Sequence, residues 1–424
     1  MVERFGGNDD VAHAAAIRAH ELLGHQPTLA VESCLAVVAD QAPNADETRT
    51  IDPAAVAALK ASDVVRLAAS ANIGGTEASI LQIGRELEAI SAACTSTAWV
   101  MWNHLAVFHL FVGCLGPNYE PLLRQITEAG QTVCFPAGAS SGVRGVIDGD
   151  LVRMNGKGAF GTGCRYADWA GIAFIVVDAD GNRIEPLDLR FTIVPLDAAT
   201  GSGSANGTGV KIDPTWDGSA VRASATDDVH YTDVVAPLER CVPWFGANRA
   251  EALREVPVVA PRYREDWVGL SDVWLTWMGV GLVQAALAET LEAVDGRRSL
   301  LGKRMVTHPT VQLNLGEAAS LVSAAAATAE TACRQVDERI AAGVAPTEAD
   351  YLRQMAQSTA AIDQLDRAMD LLQRTLGGNG LREGATFDRR RRDFAAIPLH
   401  INAHRDRVNL RLGRHLLAEE QDPF

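Results

Sequence analysis

The absences in this sequence narrow its function first. Its seven cysteines (34, 94, 114, 134, 164, 241 and 333) are scattered and odd in number, with no CxxC spacing. That pattern suits reduced thiols in a cytoplasmic protein and offers no metal site. Residues 1–16 carry acids and lack the apolar core of a secretion signal. No long run is free of polar groups, because Asn103, His104 and His109 interrupt the apolar stretch 98–115, which therefore reads as a buried helix rather than a membrane span. Positive charge is also scarce. With 38 Lys+Arg against 53 Asp+Glu the net charge is −15, and residues 389–392 are the only dense basic run. Nucleic acid as the main partner is thereby disfavoured, since phosphate binding needs a clustered basic surface.

Three catalytic signatures are missing as well. The glycine-rich stretch 201–209 leads to a proline rather than a helix, so it is no phosphate or dinucleotide loop. No GxSxG elbow occurs. His400 and His404 stand at helical spacing, but no third metal ligand lies near them in sequence.

The texture of the remaining chain changes twice. Residues 1–130 are rich in Ala and Leu, and the periodicity predicts helices over 11–23, 53–59 after an Asp52 cap, 78–91, 97–112 and 121–129. Residues 131–245 hold 15 of the 37 glycines and alternate short β-branched runs with turns such as Asp148-Gly149, Asn155-Gly156 and Asp180-Gly181. Strands are expected at 131–135, 151–155, 171–177, 190–194, 221–223 and 229–235, forming an antiparallel barrel or sandwich. Long helices return at 266–294, 309–341, 347–376 and 397–417, and four of that kind read as a bundle. The expected class is α+β in three domains: N-terminal helical (1–130), central β-barrel (131–245) and C-terminal four-helix bundle (246–424).

Two clusters stand out within this frame. Phe160-Gly161-Thr162-Gly163-Cys164 sets a hydroxyl between glycines, where a flat ligand could approach the backbone. Gly377-Gly378-Asn379-Gly380 follows a long helix and doubles as a C-cap. With these in place, the order of parts resembles the acyl-CoA dehydrogenase superfamily of flavoproteins. Phe160-Gly161-Thr162 occupies the place of that family's aromatic-x-Ser/Thr motif, which implies that Thr162 and Gly163 meet the flavin ring near N5. Residues 216–224 (WDGSAVRAS) and 233–237 (DVVAP) resemble its two following strands. Arg298 to Gly302 matches the Arg-x-x-x-Gly segment and Gly377-Gly378 the Gly-Gly-x-Gly turn, implying that Arg298, Gly377 and Gly378 complete a flavin site in a neighbouring subunit of a homotetramer. Arg392-Asp393 matches the pair that opens the family's last helix.

The family contains two chemistries. A dehydrogenase needs a carboxylate base to remove the proton α to a thioester carbonyl. After Arg392-Asp393 no acid appears before Asp406, and the alternative position near Ser271 has Asp272 one residue out of register. His400 stands in that stretch instead. Arg392-Asp393-(x6)-His400, residues 160–169 and residues 94–100 resemble the two-component flavin-dependent monooxygenases, among them hydroxyphenylacetate and phenol hydroxylases, dibenzothiophene monooxygenase and nucleotide-sugar N-oxygenases. The resemblance implies reduced flavin (FMN or FAD) supplied by a separate NAD(P)H-dependent reductase, O₂ as co-substrate, a C4a-hydroperoxide, and hydroxylation or N-oxygenation of a small organic molecule.

Under that reading Thr162, His400 and His104 are the catalytic candidates. Trp99 joins the flavin contacts, and Trp102, Asn103 and Trp274 are assigned to substrate, with Phe108 and Trp169 extending the aromatic wall. His104 can equally be a hydrogen-bonded core histidine, and Cys164 reads as packing. Two alternatives stay open: an acyl-CoA dehydrogenase whose base is relocated to Asp272, and a non-redox flavin-fold protein with a binding or cyclising role.

Overall fold

The structure is a computed structural model, and it describes residues 28, 30–137, 142–196, 209–244, 254–401 and 403–419. The helix expected over 11–23, the glycine loop 201–208 and Asn402 lie outside the described residues.

The N-terminal region is helical, with α1 (Leu35–Thr48), α2 (Pro53–Ala61), α3 (Ile80–Ala93), α4 (Thr95–Leu115) and α5 (Glu120–Glu128). Asp52 caps α2 as the sequence implies, accepting from the Ala54 N–H at 2.8 Å. α3 is held from outside its own turn. The Asp337 carboxylate accepts from the N–H groups of Ile80 and Leu81 at 2.7 and 3.2 Å, meeting two orphan donors and the positive helix end. α1 is unforeseen, because Pro43 sits inside it and an internal proline ordinarily ends a helix.

The middle region forms one mixed sheet of β1 (Val133–Cys134), β2 (Arg144–Asp148), β3 (Leu151–Gly161), β4 (Trp169–Val177), β5 (Leu189–Pro195), β6 (Gly209–Asp213), β7 (Asp227–Pro237) and β8 (Val242–Pro243). The strand order is β6-β7-β3-β2-β4-β5-β8, with β1 beside β4. Among the described residues this path is open, and β4 pairs parallel with both β1 and β2. The closed antiparallel barrel of the sequence reading is therefore corrected to an open mixed sheet. A second correction concerns 221–223, which is a turn instead of a strand. Val221 has φ of 41° and Ala225 of 49°, conformations that strands exclude and that a β-branched residue adopts only under constraint.

Three long helices follow: α6 (Trp267–Asp295), α7 (Pro309–Ala342) and α8 (Glu348–Leu376). α3 packs beside α6 closely enough that a Cβ on Gly281 would lie 2.0 Å from the Glu88 carbonyl oxygen. The fourth long helix expected at 397–417 is not continuous. α9 (Thr386–Phe394) and α10 (Arg405–Leu416) flank turns and bends at 395–401 and 403. α4 and α6 are long and apolar enough to cross a membrane, yet 89% of each apolar window is buried within the fold. All seven cysteines are buried and none is in a disulfide.

Candidate active site

The turn at 219–226 ties the sheet to the C-terminal helices. Asp393, the second residue of the Arg-Asp pair, accepts from the Val221 N–H at 2.6 Å, and burial pushes its carboxyl up to about 6. Arg392 donates to both Asp46 oxygens at 3.1 and 2.7 Å and to the Ser219 carbonyl at 2.7 Å. This clamp joins α1, the turn and α9, so a matched sequence pair acquires a structural purpose.

β3 ends at the Phe160–Cys164 cluster. Phe160 leaves the strand with φ of 55° and is 56% exposed. Thr162 is buried, and its Oγ1 lies 3.1 Å from Thr226 Oγ1, which is 2.7 Å from Ser224 Oγ. Gly163 donates its N–H to the Ser224 carbonyl at 2.9 Å. It has φ of 76°, and a Cβ there would come within 3.1 Å of Val100 Cγ1 on α4. Glycine thus allows the Thr162 turn to rest on α4. Cys164 has no nucleophilic character, since burial raises its thiol to about 12.

On another side of α4, Trp99 and Trp102 meet His400 from the turn between α9 and α10. The ring centroids of His400 and Trp102 are 4.8 Å apart at 87°, and those of His400 and Trp99 are 5.7 Å apart at 75°. Burial, followed by the Arg407 charge, holds the His400 imidazole down at about 4, so it is uncharged at neutral pH. Arg407 is anchored to the same turn, donating to the Ile401 carbonyl at 3.0 Å. Trp102 donates its Nε1–H to the Ser271 carbonyl of α6 at 2.8 Å. Asn103, one turn beyond Trp99, carries a buried Oδ1 with no hydrogen-bond partner. Asp272, beside Ser271, is 1% exposed and has no partner for either carboxyl oxygen. Burial raises its carboxyl well above the usual carboxylate range, and Arg407 offsets this in part.

The structure therefore brings Trp99, Trp102, Asn103 and His400 together, with Thr162-Gly163 on the neighbouring face of α4. Other candidates fall elsewhere. His104 has both ring nitrogens engaged with backbone, Nε2 2.9 Å from the Val65 carbonyl oxygen and Nδ1 accepting from the Val133 N–H at 3.1 Å. Burial lowers it to about 4, the signature of a bridging core histidine. It lines a small apolar pocket with Val100, Thr132, Gly163 and Tyr166. Trp274 is fully buried and donates to the Ile80 carbonyl of α3, on the side of α6 away from Asp272. Arg298 donates to the Gly302 carbonyl, and Arg297 reaches the Leu376 carbonyl before Gly377. These segments share the far end of α6, roughly 35 Å from Asp272 at 1.5 Å per residue.

Ser96, Gln354, Ser358 and Arg407 also belong to this region and were not marked by sequence. Ser96 accepts from the Ala223 N–H at 3.3 Å. Gln354 and Ser358 stand at i, i+4 on α8 among other polar residues, a pattern indistinguishable from a solvated helix face.

Residues 273–405 match the family described as acyl-CoA dehydrogenase, C-terminal domain. The FADH(2)-dependent resorcinol hydroxylase oxygenase component of Rhizobium sp. (strain MTP-10005) is 26% identical over 400 residues, covering 88% of this chain and 90% of that protein. XiaF from Streptomyces sp., solved with FADH2 and glycerol, superposes with a TM-score of 0.80 at 22% identity over 98% of this chain and 99% of its own. FMN-bound TdsC from Paenibacillus sp. A11-2 gives 0.76 at 18% identity over 97% and 99%. The chain is thus similar in sequence to the acyl-CoA dehydrogenase C-terminal domain and to an oxygenase component, and it shares the fold of XiaF and TdsC.

Proposed function

We propose that this chain is the oxygenase component of a two-component flavin-dependent monooxygenase, acting on a small aromatic substrate. The observation that carries the reading is His400, a neutral imidazole against Trp99 and Trp102 in the stretch where a dehydrogenase of this fold would need its carboxylate. The names of the relatives, all hydroxylases or monooxygenases, favour it over the dehydrogenase and non-redox alternatives.

The residues suit a flat, polar-edged ring. Thr162 offers a hydroxyl, Gly163 lets the turn that carries it rest against Val100 of α4, and the orphaned Asn103 oxygen lacks a donor. When bound, reduced flavin, as FMN or FAD, supplies two electrons to O₂, so that one oxygen atom enters the substrate and the other leaves as water. Thr162 holds the ring edge through its hydroxyl. Trp99 and Trp102 exclude water, which protects a reactive oxygen donor from wasteful decay. Asn103 Oδ1 accepts a hydrogen bond from the substrate. His400 takes the proton of a phenolic hydroxyl, making the ring electron-rich at the carbon to be oxygenated. Ring hydroxylation is thus favoured over N-oxygenation. His104 serves as scaffold in this scheme and Trp274 as core.

The wider reading follows the fold. A separate NAD(P)H-dependent flavin reductase is the partner, the protein is cytoplasmic, and neither nucleic acid nor membrane is required. The chain assembles as a homotetramer in which Arg298, Gly377 and Gly378 reach the flavin phosphates of a neighbouring copy. The three-domain division at 130 and 245 is kept, as a helical, a β-rich and a second helical region.

The test uses purified protein with chemically reduced FMN or FAD, a panel of phenols and ¹⁸O₂. One labelled oxygen atom in the product is expected, with no nicotinamide needed once the flavin is reduced. Oxygen consumed only to H₂O₂ with every phenol, or flavin bleached by an acyl thioester, would overturn the reading.

A further inference from the structure

Among the described residues, buried polar atoms without partners gather where α6 faces α8. Both carboxyl oxygens of Asp272, Nε2 of Gln354 and Oγ of Ser358 lack a hydrogen bond, and these residues are 1%, 5% and 3% exposed. Two contacts set the register of the helices. A Cβ on Gly269 would lie 3.1 Å from Gln354 Nε2, and one on Gly279 would lie 3.0 Å from Leu365 Cδ1. The intervals are similar on both helices, so α6 and α8 run parallel, and Asp272 stands level with the turn from Gln354 to Ser358. The same Gly279 position is 3.6 Å from Ile397 and 3.9 Å from Phe394, which lead into the His400 turn. Trp102 links Ser271 to His400, and Arg407 acts on both Asp272 and His400. The orphaned atoms therefore border the region that His400 serves.

A folded core that keeps three such groups unmet in one place is incomplete without a ligand. Their chemistry restricts what fits. The Gln354 amide nitrogen donates, the Ser358 hydroxyl donates or accepts, and the Asp272 carboxyl lies away from any bonded cation. Burial opposes any charged ligand group here, and the Arg407 charge opposes an ammonium in particular. A hydroxyl, neutral and able to donate and accept at once, satisfies all three.

We propose that Asp272, Gln354 and Ser358 form a subsite for a second hydroxyl of a small aromatic substrate, at a ring position other than the one His400 deprotonates. The inference rests on the hydroxylase reading for its substrate class, but binding alone tests it. The neighbouring Trp102 provides the fluorescence signal. Wild-type protein, Asp272→Leu and Ser358→Ala are titrated with phenol and with 1,2-, 1,3- and 1,4-dihydroxybenzene. The best dihydroxy isomer should bind wild type at least about tenfold more tightly than phenol, the gain from one well-met hydrogen-bonding group. Both substitutions should shrink that ratio to about twofold or less, and Asp272→Asn should recover part of it. A wild-type ratio near one, or a ratio that neither substitution alters, would overturn the subsite. Turnover with reduced flavin and O₂ separates the two ideas. Product formation with a preference indifferent to both residues sinks the subsite alone. An intact binding preference without hydroxylated product supports the subsite and sinks the hydroxylase.

Discussion

His400 stands edge-on to Trp102, the two rings 4.8 Å apart and nearly perpendicular, and the same indole is tied to the Ser271 carbonyl. The pairing orients the neutral imidazole, because an indole ring supplies shape and apolar surface rather than a counter-ion that would hold it protonated.

His400→Ala should lower kcat by about 100-fold or more, the ordinary contribution of a positioned general base. The fold should survive, since the side chain sits in a turn at the edge of the bundle. Steady-state hydroxylation with a coupled reductase measures the first, and circular dichroism the second. Burial and Arg407 depress the imidazole, so it is unprotonated above about pH 4. The acid limb of kcat/KM attributable to this residue should accordingly fall near pH 4 instead of 6.5, and removing the cation with Arg407→Leu should move it upward.

Thr162→Val should weaken binding of reduced flavin by about tenfold, corresponding to one lost hydrogen bond in a closed site. Its partner Thr226 keeps its contact with Ser224 at 2.7 Å, so the turn itself should persist. Anaerobic quenching of protein fluorescence by FMNH₂ and FADH₂ measures the affinity. Unchanged binding would remove Thr162 from the flavin contacts.

His104 makes an opposite kind of prediction, one of stability. Its pKa is lowered from the ordinary 6.5 to about 4 in the folded chain, so the unfolded chain binds the extra proton between those values. The stabilising contribution is complete above about pH 6.5 and is lost as the pH falls toward 4. Between pH 7 and pH 5 the wild type should lose about 2 kcal/mol more than His104→Gln. Urea denaturation at the two pH values is the measurement.

Gly281→Ala should destabilise the protein by about 3 kcal/mol, because its methyl would sit 2.0 Å from the backbone oxygen of Glu88 and force α3 away from α6. Thermal unfolding reads the loss, and neither helix can relieve it by a side-chain rotation.

The sequence carried the alternation of helical, β-rich and helical regions because each had its own periodicity. The resemblance carried by Arg392-Asp393-(x6)-His400 singled out His400, a residue the structure sets against Trp99 and Trp102. It misplaced 221–223, whose β-branched start suggests a strand while Asp393 and Arg392 pull the backbone into a turn. It passed over α1 because proline normally forbids what the packing of that helix tolerates. Pro398 lies inside the stretch read as a fourth long helix, and it marks locally the break between α9 and α10. Gln354 and Ser358 illustrate the general limit: burial of a polar group is a property of the helix opposite, and the contacts that bury these two come from residues more than 80 positions away in the chain.

The length of α6 puts the two halves of the proposed flavin site at opposite ends of one rod. His400 and Asp272 belong to one end and the Arg298 and Gly377 segments to the other, roughly 35 Å apart. A copy silenced by His400→Ala still offers an intact Arg298 to its neighbour, and a copy silenced by Arg298→Ala still holds an intact His400. Co-refolding two dead variants should therefore regenerate activity in the hybrids, as complementation between halves that no single chain can join.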